Sequence, residues 1–344
     1  MHMFNHDKLR QVMLKVLIEK SVPENVAQDV VNALVETSLR GTDSHGIQLF
    51  PHYSRVALSG RINRKPEITL LQRKASCAIL DGDHGFGPFV GRKAMDAAIS
   101  MAAETGVGAV AVSNSSHFAA AAYYGLQAAE KGYLGLCFTN ADALVKVPGA
   151  RQSFFGTNPI CFCAPMMDEG PFCLDMATSQ VAWNKVINHR RTGQELMPGQ
   201  AYDDEGTMVV DANKAASLAP SGDYKGFGLG MMVEIFCGML AGGPVATELT
   251  AMYVELEKRR SISHFMMALD IASFQPLDAF KTRLQEMAGQ IRKLASIEGN
   301  TFPCVPGDPE KKCYASRVIS GIPVDEEKFI EFKAVDEQFA LCLM

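Results

Sequence analysis

The stretch SNSSHFAAAAYYG, from Ser113 to Gly125, sets one imidazole, His117, between hydroxyl side chains and a run of alanines. Ser115 and Ser116 are natural helix N-caps, so the spacing predicts an alanine-rich helix with His117 in its first turn. The positive end of the helix dipole disfavours imidazolium there and lowers the ring's pKa. A neutral imidazole so placed suits proton exchange with an alcohol or a carbonyl. The competing reading is a core histidine with both nitrogens satisfied. The small alanines would admit a neighbouring helix as readily as a flat ligand.

A second polar cluster lies in TDSHGIQLFPHY, from Thr42 to Tyr53. Ser44 and His45 directly follow the expected end of a helix, Gly46 frees the backbone, and His52 and Tyr53 come at the start of the next helix. A capping turn explains Ser, Asp and Gly equally well. Two glycine-rich stretches invite a search for a dinucleotide fingerprint. GVGAVA, Gly106 to Ala111, matches the loose spacing but leaves a helix and enters a strand, the reverse of what places a pyrophosphate at a helix N-terminus. KGFGLG, Lys225 to Gly230, lacks the spacing, and its glycines fit close helix packing or approach to a ligand. A nucleotide, if bound, is held by a non-Rossmann arrangement. No HExxH, HxH or paired Cys/His cluster occurs, so no metal site is expected, and no GxSxG nucleophile elbow is present.

Composition narrows the function classes. The chain has 344 residues, 47% hydrophobic and 21% charged, with a formal net charge of −5. That balance argues against a nucleic-acid footprint, and the longest basic block is Lys258–Arg260. No apolar run approaches the roughly 18 residues that span a bilayer, and the first helix carries charge where a signal peptide is apolar. The expected location is the cytoplasm. The nine cysteines include Cys77, Cys137, Cys161, Cys163 and Cys173 in apolar, strand-like segments with no CxxC spacing, and they read as reduced core residues.

The elements that must position these residues fall into two regions. Leu9, Val12, Met13, Val16 and Leu17 recur at helical spacing, SVPE (Ser21–Glu24) reads as a capping box opening a second helix that Gly41 ends, and a third begins near Pro51. RINRKPEI is an extended connector. After it, strand and helix alternate: CAILD, a helix to Gly106, VGAVAVS, the alanine-rich helix, LGLCFT, PICFCA, PFCLDM, a helix over ATSQVAWNKVI, another over KGFGLGMMVEIFCGML, HFMMALDI and a last long helix from Pro276. The expected division is a helical domain, 1–75, completed by about 305–344, and an α/β nucleotide- and substrate-binding region, 76–304.

TDSHG, SNSSHF, GTNP, LDMATS, YKGFGLGMMVEI and VPGDPE occur in that order. Together they resemble the type-2 malate/L-lactate dehydrogenase family, whose relatives include ureidoglycolate and sulfolactate dehydrogenases and diketogulonate reductases. The resemblance covers nearly the whole chain. It implies an NAD- or NADP-dependent oxidoreductase with a non-Rossmann α/β nucleotide-binding domain, a helical domain built from both chain ends and a homodimeric assembly. By resemblance His117 is the catalytic acid/base, and Ser44 and His45 are the substrate-side pair, with His45 polarising the carbonyl or sharing the proton path. Ser44, Tyr53, His52 and Asn158 face the substrate, while Asp175, Met176, Ala177, Ser179, Lys225, Pro306, Gly307 and Asp308 line the cofactor.

The implied reaction moves a hydride between nicotinamide and a small 2-hydroxy acid or 2-oxoacid, malate- or lactate-like. A cyclic imine reductase and a catalytically silent nucleotide-binding relative are the alternatives. One departure bears on substrate: Gln48 and Leu49 stand where many relatives carry an arginine, whose planar fork holds a carboxylate. His52, Arg55 or Lys146 are the cations or cation-formers considered to replace it. Trp183–Lys185 departs from the glycine often found before that lysine.

Overall fold

The computed structural model describes residues 1–297 and 302–344. The chain opens with β1 (His2–Phe4), α1 (His6–Glu19), α2 (Glu24–Leu39) and α3 (Phe50–Val56). Asn5 caps α1 by accepting from the N–H groups of Asp7 and Lys8, and the helix buries the five apolar residues read from its spacing. SVPE is not a capping box: α2 begins at Glu24 with Pro23 at its N-cap and no side-chain cap, because Ser21 turns the chain with φ 63°.

Next come β2 (Thr69–Arg73), β3 (Cys77–Asp81), α4 (Gly87–Thr105), β4 (Val107–Ser115), α5 (Ala122–Glu130), β5 (Tyr133–Thr139), β6 (Val145–Lys146), β7 (Ser153–Phe155), β8 (Ile160–Ala164) and β9 (Phe172–Met176). The chain continues through α6 (Trp183–Thr192), β10 (Ala201–Tyr202), β11 (Met208–Val209), β12 (Ser217–Leu218), α7 (Tyr224–Glu234) and β13 (Ile262–Asp270). It closes with α8 (Leu277–Arg292), α9 (Asp308–Ser320), β14 (Ile322–Val324) and α10 (Glu326–Val335).

The main sheet has seven strands in the order β2-β3-β4-β13-β5-β8-β9. Its only parallel pair is β3–β4; β13 lies antiparallel between β4 and β5. The sheet is therefore mixed, with α4 and α5 packed on one face and α7 with the turn that follows it on the other. A strand buried on both faces reads as an apolar run, as VGAVAVS does. The GVGAVA glycines carry the chain from the end of α4 into β4. In α7 Gly226 serves close packing: a Cβ there would meet the Ser221 and Thr178 carbonyl oxygens at 2.3 and 2.6 Å. A smaller sheet, β11-β10-β12-β6-β7, packs with α6 beside the main one.

The two chain ends share a core. β1 pairs antiparallel with β14, and Phe4, Phe332 and Phe339 are buried with the apolar faces of α1, α2 and α3. β2 hydrogen-bonds to β3, so the chain enters the main sheet at Thr69, directly after the connector. Among the described residues no helix is long and apolar enough to cross a membrane.

Candidate active site

His117 sits two residues past the end of β4, not in a helix; α5 begins only at Ala122. The hydroxyls expected to cap a helix are used elsewhere. Ser115 Oγ lies 2.8 Å from His264 Nε2, and Ser116 Oγ accepts from Gly87 N–H and donates to the Gly85 carbonyl. These three bonds pin the strand end that carries His117. Ala119, two residues on, has φ 66°, a left-handed conformation that breaks the alanine run before it can coil. Beneath the site His264 is fully buried between Thr139 and Ser115, stacks on Phe118 at 4.5 Å, and is driven by burial down to about 3. It is a neutral structural ring.

Tyr53 gives His117 its orientation. Its Oη lies 2.8 Å from His117 Nδ1 and 2.9 Å from the His117 carbonyl oxygen. The phenol has one proton. Donated to the carbonyl, it leaves the oxygen to accept Nδ1–H, and that arrangement serves the neutral ring and the imidazolium alike. In that tautomer Nε2 is the nitrogen left free to exchange a proton. Burial first, then the charge of Arg260, pushes His117 well below the ordinary histidine pKa. The lowering expected from a helix dipole thus arises from burial instead.

His45 stacks beside His117 with centroids 5.8 Å apart, and its Nδ1 is 3.0 Å from Ser44 Oγ. Burial lowers its pKa too. The short helical turn Asp43–His45 is held from two sides. Arg317 of α9 grips Asp43 with bonds of 2.6 and 2.9 Å, and Asn184 of α6 donates to the Ser44 carbonyl at 3.0 Å.

The cation at this end of the pocket is Arg260, which no motif in the sequence marks. It is 5% exposed, lines the cavity, donates through Nε to the Thr250 carbonyl, and pairs through Nη2 with Asp142. Nη1 is the nitrogen that neither bond uses. Leu49 and Tyr253 line the same wall, whereas Gln48 does not. His52 lies behind Tyr253, rings 5.0 Å apart, and burial lowers it to about 4. It does not line the cavity and is no cation at neutral pH. Arg55 is exposed on α3, and Lys146 stacks over Tyr202 at 4.3 Å, so neither replaces the missing arginine.

From His117 the cavity follows Ala119–Ala122 to the end of β9. Its volume is about 1300 Å³, above the roughly 300–1,000 Å³ common for small-molecule pockets. Asp175, Met176, Ala177, Ser179, Pro306 and Gly307 line it. Asp175 Oδ2 accepts Ala122 N–H at 2.7 Å. The carboxylate opens onto the cavity yet lies deep among protein atoms, and that desolvation raises it to about 7. The segment after it is not a helix. Thr178 N–H donates to the Thr157 carbonyl and Gln180 N–H to the Ala219 carbonyl, so those amides are spent within the protein, and α6 starts at Trp183.

Four expected residues lie outside the cavity wall besides His52. Tyr53 acts from behind, through His117. Asn158 is fully buried, accepting from Ala141 N–H and donating to the Gly230 carbonyl and Glu234 Oε1, which ties α7 to the loop before β8. Asp308 is held by Arg292 and by Val305 N–H and shapes the Pro306–Gly307 turn rather than facing the cavity. Lys225 is exposed in the first turn of α7.

A buried histidine held by a phenol, with a buried cation lining the same cavity, offers the groups needed by an enzyme that moves hydrogen at a carbon–oxygen group. Comparison with known proteins agrees: the family model for malate/L-lactate dehydrogenase matches residues 4–333, and the chain belongs to that family. It is 37% identical over 339 residues to a malate dehydrogenase of Pyrococcus abyssi, covering 96% of this chain and 92% of the relative. Identity to an L-sulfolactate dehydrogenase of Methanocaldococcus jannaschii is 30% over 334 residues, 96% of each. The crystal structure of malate dehydrogenase from Entamoeba histolytica superposes with a TM-score of 0.92 at 28% identity, covering 98% of both chains.

Proposed function

We propose that the protein is an NAD(P)-dependent dehydrogenase of small 2-hydroxy acids, with malate- or lactate-like substrates and their 2-oxoacids. The observation that carries this reading is the Tyr53–His117 pair: a ring held through Nδ1, in the wall of a cavity that Arg260 also lines.

The cavity suits a nicotinamide dinucleotide. Ala119–Ala122 present no side chain beyond a methyl, and Asp175, Met176, Ala177, Ser179, Pro306 and Gly307 form a second wall. Arg40 also lines it and has no carboxylate partner among the described ion pairs, so it supplies positive charge toward phosphate. When bound, the nicotinamide gives or takes the hydride.

Substrate oxidation leaves a hydroxyl proton to be removed. Neutral His117 accepts it at Nε2, and the imidazolium keeps Nδ1–H on Tyr53. In the reverse direction the same nitrogen donates to the carbonyl oxygen. Arg260 Nη1 is placed to take the substrate carboxylate, and that anion offsets the Arg260 charge that depresses His117. Substrate binding therefore raises the histidine toward protonation when a proton donor is needed.

The assembly proposed is a homodimer. Along α7 and its extension, Met231, Ile235 and Met239 recur every fourth residue and are 45%, 47% and 58% exposed, an apolar stripe that a second copy would cover. None of the nine cysteines is paired, which fits the cytoplasm. The test of the activity is nicotinamide absorbance with NADH and NADPH over 2-oxoacids, 2-hydroxy acids and cyclic imines. Turnover confined to imines, or none with nucleotide still bound, would overturn the reading.

A further inference from the structure

On the far side of the cavity wall, adjacent strands bring three thiols together. Cys161 and Cys163 alternate along β8 and so share one face, and Cys173 of β9 stands directly opposite Cys163. The three sulfurs all lie within 4.8 Å of one another, with Cys161 and Cys163 Sγ 3.6 Å apart. We infer that Cys161, Cys163 and Cys173 form a three-thiolate site for a soft, thiophilic metal ion, with monovalent copper as the ion it fits best.

The size is right. An equilateral triangle of edge about 4.0 Å holds its centre about 2.3 Å from each corner, the length of a metal–thiolate bond. The ligand type is right as well, since thiolates select soft ions over hard ones. Coordination number separates the candidates: a structural zinc takes four ligands, and no fourth Cys, His or carboxylate atom joins the group among the described residues. Cys137, opposite Cys161 in β5, directs its Sγ to the Ala121 carbonyl at 2.9 Å. Copper(I) is content with three.

The surroundings are shaped to the sulfurs. Gly125 of α5 lies over them, and a Cβ there would stand 2.8 Å from both Cys161 and Cys163 Sγ. Any larger residue would press into the triangle. Cys161 and Cys163 are fully buried, while Cys173 lines the cavity and gives an ion its entry. The charges of Arg40 and Lys311 bear on Cys173 and offset the negative charge a thiolate set gathers. Binding replaces thiol protons by Cu⁺; the protons leave to solvent and no electron moves.

The experiment is an anaerobic titration of the reduced full-length protein with bicinchoninate-buffered Cu(I), followed by X-ray absorption on the loaded sample. The expected result is one Cu(I) per chain drawn from the chelator, with three sulfur neighbours. Cys163→Ser and Cys173→Ser each abolish the transfer, and a Cys77→Ser/Cys304→Ser variant, which removes the two exposed thiols, retains it. Equal uptake by Cys173→Ser, or a two-sulfur linear site in the wild type, overturns the assignment. Circular dichroism confirms that the variants are folded, and the absorption measurement needs no variant.

Discussion

Replacing Tyr53 by phenylalanine removes one oxygen and keeps the ring. The ring is 3% exposed and packs 6.1 Å from Phe86, so the apolar contacts remain. Lost are the partner of His117 Nδ1 at 2.8 Å and the donor to the His117 carbonyl at 2.9 Å. At about 0.5–1.5 kcal/mol per hydrogen bond, the fold is weakened by about 1–3 kcal/mol. The catalytic effect is separate. An imidazolium with its Nδ1–H unpaired in a buried site is penalised by about 1–3 kcal/mol, which corresponds to about 5- to 150-fold in rate. The neutral ring suffers less, so the variant's histidine is harder to protonate than the wild type's. Reduction needs the imidazolium, so kcat/KM for 2-oxoacid reduction falls near neutral pH and its limb moves to lower pH. Stopped-flow or steady-state nicotinamide absorbance across pH, in both directions, measures this. A folded Tyr53→Phe enzyme with wild-type rates and an unmoved limb would refute the role given to the phenol.

Arg260→Lys keeps the charge and loses the fork that serves Thr250, Asp142 and the substrate together; KM for the 2-oxoacid should rise about 10- to 150-fold with nucleotide affinity unchanged, by initial rates and fluorescence titration. Asp175, raised by burial from 3.8 to about 7, favours the folded state while protonated; that contribution is complete below 3.8 and lost as pH rises through about 7. Asp175→Asn should therefore melt above the wild type on the alkaline side of that range and level with it on the acid side, and equal melting throughout would contradict the raised pKa. Met231→Glu with Met239→Glu should convert a dimer to a folded monomer in sedimentation equilibrium, and an unaltered mass would place the interface elsewhere.

The convergence of His45 and His117 on one cavity was legible because its signal is local: Ser44–His45 and Ser116–His117 declare polar clusters within a few residues. Arg260 was not, because its role depends on Asp142, Thr250 and the cavity, all brought together by long-range packing. The helix boundaries at His117 and Ala177 failed for separate local reasons. Alanine-rich sequence favours a helix at Ala119, but a left-handed residue there interrupts it, while beyond Ala177 the amides of Thr178 and Gln180 are spent on carbonyls outside any helix. Asn158 shows the opposite error, a motif residue whose amide is consumed in holding α7. The two-residue strands β6, β10, β11 and β12 are too short to carry a period of two, and the pairing of β1 with β14 joins segments at opposite ends of the chain.

The most direct test of the account is His117→Asn, assayed for turnover and for nucleotide binding in one preparation. Asparagine keeps a hydrogen-bonding side chain of similar reach and cannot take up a proton. The account predicts a fall of about 10²- to 10⁴-fold in kcat, loss of the histidine limb from the pH profile and unchanged NADH and NADPH affinity. Near wild-type turnover from folded His117→Asn protein, with His45→Asn inactive, would contradict it and move the proton exchange to the neighbouring ring.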